Sequence, residues 1–221
     1  MSAVVQLSGV TLLDRSGRPL VEGLDLEVAA GEAVVISAPP EIGTVVLRSL
    51  VGLEVPARGT VRLLGEDVLA LAKRAGERLL AGVGYLPRHG ALVSNLPIRE
   101  NLVLPVLWHR HVPREEALEA ATRSAARFGL DELPAVIPPL ASMSVRRRAA
   151  LARAAVLEPS VLLLDDPTED LDPHDAGDVA GRLAATAKAL GAAVLATSHE
   201  YDVPMALQAR VLHLRHPPRQ P

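Results

Sequence analysis

Residues 161–173 read VLLLDDPTEDLDP, from Val161 to Pro173. Four apolar residues, two aspartates and a Pro-Thr turn describe a strand buried on both faces that delivers carboxylates to its C-terminal end. In open α/β sheets ligands bind at that end. A carboxylate held there above an apolar floor suits a magnesium ion and the water that attacks a phosphate. The same run is equally an acidic turn after a strand, so these residues alone leave both readings open.

Outward from this strand the pattern stays α/β. Downstream, Val179, Leu183, Ala187 and Leu190 line one face of a helix closed by Gly191, and a strand Ala193 to Thr197 leads to His199. Upstream, residues 85–139 read as helices separated by prolines, with Pro97 and Pro113 at first helical positions. Leu118, Ala121, Ala125 and Phe128 fall on one face there, and Gly129 follows as a C′ residue. Nearer the N-terminus, Val4 to Leu7, Leu24 to Val28 and Val61 to Leu64 read as strands of an antiparallel layer, with a turn at 15–19. Ala33 to Ser37 is a second fully buried strand, followed by a proline-rich loop and a helix from about Thr44 to Leu53, the place for a phosphate-binding loop. The residues HPPRQP at the C-terminus have no periodicity and are expected to fray.

The 221 residues suffice for one large domain with a substantial core. Hydrophobic residues make up 49% but aromatics only 2%, so Leu, Val and Ala must build that core. A net charge of -3 argues against a nucleic-acid partner. The lack of cysteine removes disulfide and thiolate chemistry. The N-terminus has neither a basic start nor a long apolar core, and no apolar run approaches the ~18 residues of a membrane span. Membrane association is therefore expected to come through partner subunits.

VLLLDDPTEDLDP resembles the Walker B and D-loop of ABC-family ATPases, four apolar residues then DEPTSGLDP, with Asp165, Pro167, Thr168, Leu171, Asp172 and Pro173 at matching offsets. The resemblance runs from about Val4 to Leu214. It implies a single ABC nucleotide-binding domain: an α/β P-loop NTPase (RecA-like) core with an antiparallel β layer and an inserted α-helical subdomain. Residues 1–87 and 158–214 would form the sheet-bearing lobe, 88–157 the helical lobe and 215–221 a tail. It also implies ATP and Mg2+ as ligands, with Thr44 and Asp165 at the metal. Asp166 takes the place of the glutamate that acts as general base, one methylene short of a contact of roughly 3 Å.

Several motifs depart from the family pattern. Where GPSGxGKT is expected the chain reads APPEIGTV: Ala38, Pro39, Pro40, Glu41, Ile42, Gly43, Thr44 and Val45. Aligning Gly43 and Thr44 with the family's Gly and Ser/Thr deletes the lysine; an ungapped alignment puts Gly43 in its place. Either way it is missing, for the only lysines are Lys73 and Lys188. Pro40 adds a second residue without an N–H, and Glu41 puts a carboxylate where a phosphate would lie, a repulsion of about 4 kcal/mol per unit charge at 4 Å and an effective dielectric of 20. Thr44 can still ligate magnesium.

The signature LSGGQ corresponds to Ala141–Val145, where Ser142 agrees, Ser144 offers a second hydroxyl and both glycines are replaced. The arginines that follow, 146–148, read as a solvated helix face. Arg88 occupies the Q-loop glutamine, a cation that cannot ligate a metal but can meet a phosphate or replace the lysine's charge. No aromatic precedes Tyr85 to stack on adenine, and His199 matches the switch histidine. His109 and His111 read as surface residues. GALVSNLPIRENLVLPV and SMSVRRRAALARA are most similar to the ATPase subunits of Mla/MCE-type phospholipid transporters.

The expectation is an ABC subunit that binds nucleotide weakly or not at all. It would dock on a membrane permease and pair with a second ABC subunit, cytoplasmic and peripheral at the inner face of the plasma membrane. An active ATPase relying on Arg88, Asp166 and His199, or a soluble interaction protein, are the alternatives.

Overall fold

The computed structural model describes residues 3–72 and 81–217. In chain order β1 is Ala3–Leu13, β2 Pro19–Ala29, β3 Ala33–Ser37, α1 Pro40–Leu50, β4 Arg58–Leu63, β5 Glu66–Asp67, α2 Val68–Ala72 and β6 Val83–Leu86. Then follow α3 Ile98–Arg110, α4 Arg114–Arg127, a 3-10 turn Pro138–Leu140, α5 Met143–Ala155, β7 Val161–Asp165, α6 Pro173–Leu190, β8 Ala193–Thr197, α7 Asp202–Leu207 and β9 Arg210–His213. Lys73 and residues 218–221 of the tail lie outside the described residues.

Among the described residues two sheets form, an antiparallel one in the order β2-β1-β4-β5 and a parallel one in the order β6-β7-β8-β3-β9. Alternate residues of the parallel strands feed two separate cores, as the two-residue period of a strand requires. Val34, Ile36, Val161, Leu163, Ala193 and Leu195 pack toward α1 and the antiparallel sheet. Val35, Leu162, Leu164, Val194 and Ala196 pack toward α3 to α6. The apolar runs of β3, β7 and β8 follow from this double burial; β3 and β8 keep the bounds their sequences predict, and β7 starts at Val161 as expected.

The strands of the antiparallel layer are longer than their alternation suggests. In β1, Val5, Leu7, Val10 and Leu12 all point inward. Gly9, at φ 58, sits in a register shift between Leu7 and Val10, so the inward set slips by one residue and the strand continues. In α4 the buried face is Ala117, Ala120, Ala121, Ser124 and Ala125, continued by Phe128, while Leu118 is exposed. Gly129, at φ 77, closes that helix with Leu130 N–H donating to the Ala125 carbonyl at 3.1 Å. Pro97 and Pro113 are N-caps, one position outside their helices.

The larger correction concerns α1, which starts at Pro40 rather than near Thr44 and ends at Leu50. A proline in the first turn forgoes no hydrogen bond, and Glu41 favours the positive helix end, so the expected loop becomes helix. At the other end Gly52, at φ 73, lets Leu53 N–H reach the Arg48 carbonyl at 2.9 Å.

Gly84 in β6 lies against α5 so closely that a Cβ would overlap the Ala154 carbonyl oxygen. Backbone cannot rotate away as a side chain can. Gly84→Ala is therefore expected to cost about 2 kcal/mol and to lower the thermal midpoint by roughly 4–8 °C. An unchanged melting curve would mean that β6 and α5 separate freely.

Candidate functional site

Only Ala38 and Pro39 connect β3 to α1. The amides of Ile42 and Gly43 donate to the Pro39 carbonyl at 2.9 and 3.2 Å, closing the first helical turn. Glu41, exposed at that helix end, is held below the usual carboxylate range first by a hydrogen bond from its own amide, and further by His216, whose Nε2 lies 3.0 Å from Glu41 Oε1. Leu214 N–H donates to the Ser37 carbonyl at 3.0 Å, so the chain as far as His216 runs beside this turn, while 218–221 of the tail expected to fray lie outside the described residues. Ala38, Ile42 and Val45 are buried in the core instead of facing a ligand. At Gly43 a Cβ would stand 2.6 Å from Thr197 Cγ2, and the glycine serves the close approach of α1 to β8.

One pair of the predicted site residues is brought together. Thr44 donates its hydroxyl to Asp165 Oδ2 at 2.6 Å, and Thr197 donates to Asp165 Oδ1 at 2.8 Å. Asp165 is fully buried with both oxygens partnered. Thr197 Oγ1 also accepts the Asp166 amide at 3.0 Å, which holds Asp166 at φ 49 just past the strand end, a left-handed conformation that aspartate tolerates. Thr197 escaped the sequence reading, although it lies two residues before His199 in the same strand-end run.

Beside this pair lies an ion cluster. Arg88 donates Nη2 to Asp166 Oδ2 at 3.4 Å and pairs Nε with Glu169 Oε1 at 2.6 Å. Arg147 donates to the Arg88 carbonyl at 2.9 Å and to the Glu169 carbonyl at 3.0 Å, with its Nη2 3.5 Å from Glu169 Oε2. The arginine run at 146–148 is thus no solvated face. Arg147 is only 4% exposed, and Arg148 bonds Asp175 at 2.9 Å and Asp178 at 2.6 Å across to α6. Three like residues in a row hide this, because successive helix positions face different directions.

The remaining predicted residues are not brought to this cluster by hydrogen bonds. Ser142 caps α5 by accepting the Val145 amide at 3.2 Å, and Ser144 accepts from Arg148 Nε at 3.1 Å. Asp172 caps α6 by accepting the amides of His174 and Asp175, both at 3.0 Å. His199 is exposed just beyond β8. Among the described residues no cluster of three or more His, Asp or Glu is arranged to hold a metal, and His109 and His111 take no part in one.

Burial pushes the Asp166 carboxyl above the usual range, and Arg88 pulls it back. A carboxyl raised in the fold takes up its proton at higher pH than in the unfolded chain, near 3.9, so this group favours the folded state more as pH falls from neutrality toward ~4. The difference in melting temperature between the parent and Asp166→Asn is accordingly expected to grow in the parent's favour between pH 7 and pH 5. A difference that shrinks over this range would contradict it.

A parallel sheet with a strand-to-helix turn after β3, and a hydroxyl–carboxylate pair joining α1 to β7, defines a P-loop NTPase core with an added antiparallel layer. The chain belongs to the ABC transporter family, whose profile matches residues 21–169. It is 32% identical over 198 residues to the lipoprotein-releasing system ATP-binding protein LolD of Pseudomonas fluorescens, covering 89% of this chain and 86% of that protein. It is 28% identical over 189 residues to the intermembrane phospholipid transport system ATP-binding protein MlaF of Haemophilus influenzae, covering 85% and 72%. In fold it is similar to the dimeric ABC transporter cassette MJ0796, with a TM-score of 0.87 at 22% identity over 96% of this chain and 94% of that one.

Proposed function

We propose that this chain is an ABC nucleotide-binding-type subunit that docks on a membrane permease, pairs with a second ABC subunit, and binds and hydrolyses ATP weakly or not at all. The observation that carries this reading is the start of α1 at Pro40. Amides that would encircle phosphates are spent on the Pro39 carbonyl, and Glu41 and His216 hold the helix end. Thr44 and Asp165 are residue types that suit a magnesium ion, though here they are bonded to each other, and the turn before them does not fit a triphosphate; the motif at 38–45 holds no lysine to neutralise one. The subunit would then transmit or regulate motion beside an active ATPase or in its place.

Transport of lipidic cargo is part of this proposal and is supported by the names of LolD and MlaF. Among the described residues no helix is long and apolar enough to cross a membrane, which fits attachment to the cytoplasmic face of the plasma membrane through partners. The intact Thr44–Asp165 contact favours a second reading, an active ATPase with a divergent site. Titrating nucleotide-free protein with magnesium and ATP separates the two. Dissociation constants above about 1 mM, weaker than about -4 kcal/mol, agree with the proposal, and micromolar binding favours the ATPase. Co-purification with a membrane subunit tests the docking.

A further inference from the structure

We propose that Arg88 is the built-in counter-ion of this acidic site and excludes divalent metal from it. Of the two aspartates at the end of β7, Asp165 is sealed: it is 0% exposed and each oxygen already accepts a threonine hydroxyl. Asp166 and Glu169 are the acids beside it that could attract a cation; Arg147 Nη2 stands 3.5 Å from Glu169, but it is Arg88 that engages both, through Nη2 at 3.4 Å and Nε at 2.6 Å. Its side chain is 21% exposed, and its backbone is fixed from beneath by Arg147, which donates to the Arg88 carbonyl at 2.9 Å. The guanidinium is therefore held between the acids.

Magnesium and manganese require oxygen ligands, and a guanidinium offers only N–H donors. A divalent ion at Asp166 would sit within a few ångströms of this fixed positive charge, a repulsion twice that between two univalent cations. Substituting glutamine removes the charge and adds a carbonyl oxygen in its place. Arg88 is thus a specificity-determining residue that makes the site indifferent to metal.

The inference rests on the reading of the chain as a weak or silent ATPase, and its test uses the metal alone. Manganese is titrated into nucleotide-free protein and the free ion is followed by electron paramagnetic resonance. The parent chain and Arg88→Lys are expected to bind no better than ~10 mM, and Arg88→Gln at least about tenfold more tightly. The idea is overturned if Arg88→Gln gains nothing, if Arg88→Lys gains as much, or if the parent binds below ~1 mM. Should Arg88→Gln fail to fold, the parent still decides. Its melting temperature is expected to be the same in magnesium chloride and in sodium chloride of matched ionic strength, and stabilisation by magnesium would refute the proposal. ATP turnover by the parent would count against the underlying reading, whereas metal-blind Arg88→Gln would count against Arg88 alone.

Discussion

Purified chain supplied with magnesium and ATP is expected to turn over at less than about 0.01 s⁻¹, roughly 10³-fold below the median enzyme. Phosphoryl transfer is catalysed mainly by positioning and by charge aimed at the phosphate oxygens. Each preorganised donor lost from such a site costs about 10²–10³-fold. Here the lysine is missing from the sequence, and the Ile42 and Gly43 amides close the first turn of α1. Asp166, where the family has its general base, is shorter than glutamate and is paired with Arg88. Phosphate release assayed across gel-filtration fractions checks this. Activity near 1 s⁻¹ that co-elutes with the chain and disappears in His199→Ala would show that a divergent site works.

The second large effect is structural. Arg147→Ala is expected to cost about 3–5 kcal/mol, a fall in melting temperature of roughly 6–20 °C. The guanidinium is 4% exposed, and its loss strips partners from the carbonyls of Arg88 and Glu169 and from the Glu169 carboxylate. Removing both charges in Arg147→Met with Glu169→Leu should recover only part of that loss, because it clears the unpaired Glu169 carboxylate but leaves the Arg88 and Glu169 carbonyls without partners and Arg88 with Asp166 alone. Arg123→Ala, at an exposed pair with Glu119, should change stability by less than about 0.5 kcal/mol. Equal effects at positions 147 and 123 would refute the assignment of a buried cluster.

What the sequence made legible was the part governed by local periodicity. The runs at 33–36, 161–164 and 193–196 are apolar throughout because both sheet faces are covered, and that signal needs no partner to be read. The fixed offsets of VLLLDDPTEDLDP pointed to the family that the profile match shows. The start of α1 differs from the expected one because two prolines and a glutamate look like a loop, yet Pro39 is the N-cap and Pro40 and Glu41 are favourable in a first helical turn. The site's ion cluster was illegible for another reason. Arg88, Arg147, Asp166 and Glu169 come from three separate segments, and nothing local distinguishes a buried arginine from its exposed neighbours. His216 likewise meets Glu41 only because β9 carries the end of the chain alongside β3.

That strand order also bears on synthesis. Strand β3 hydrogen-bonds to β8 on one side and β9 on the other, at residues 193–197 and 210–213. Neither edge of Ala33–Ser37 can be covered until β8 and then β9, both far along the chain, have left the ribosome. A short, mostly apolar ribbon with two open edges is a template for pairing with other chains. Poor yields on rapid expression, relieved by slower translation or by chaperones, would trace to this late closure and not to any weakness of the finished fold.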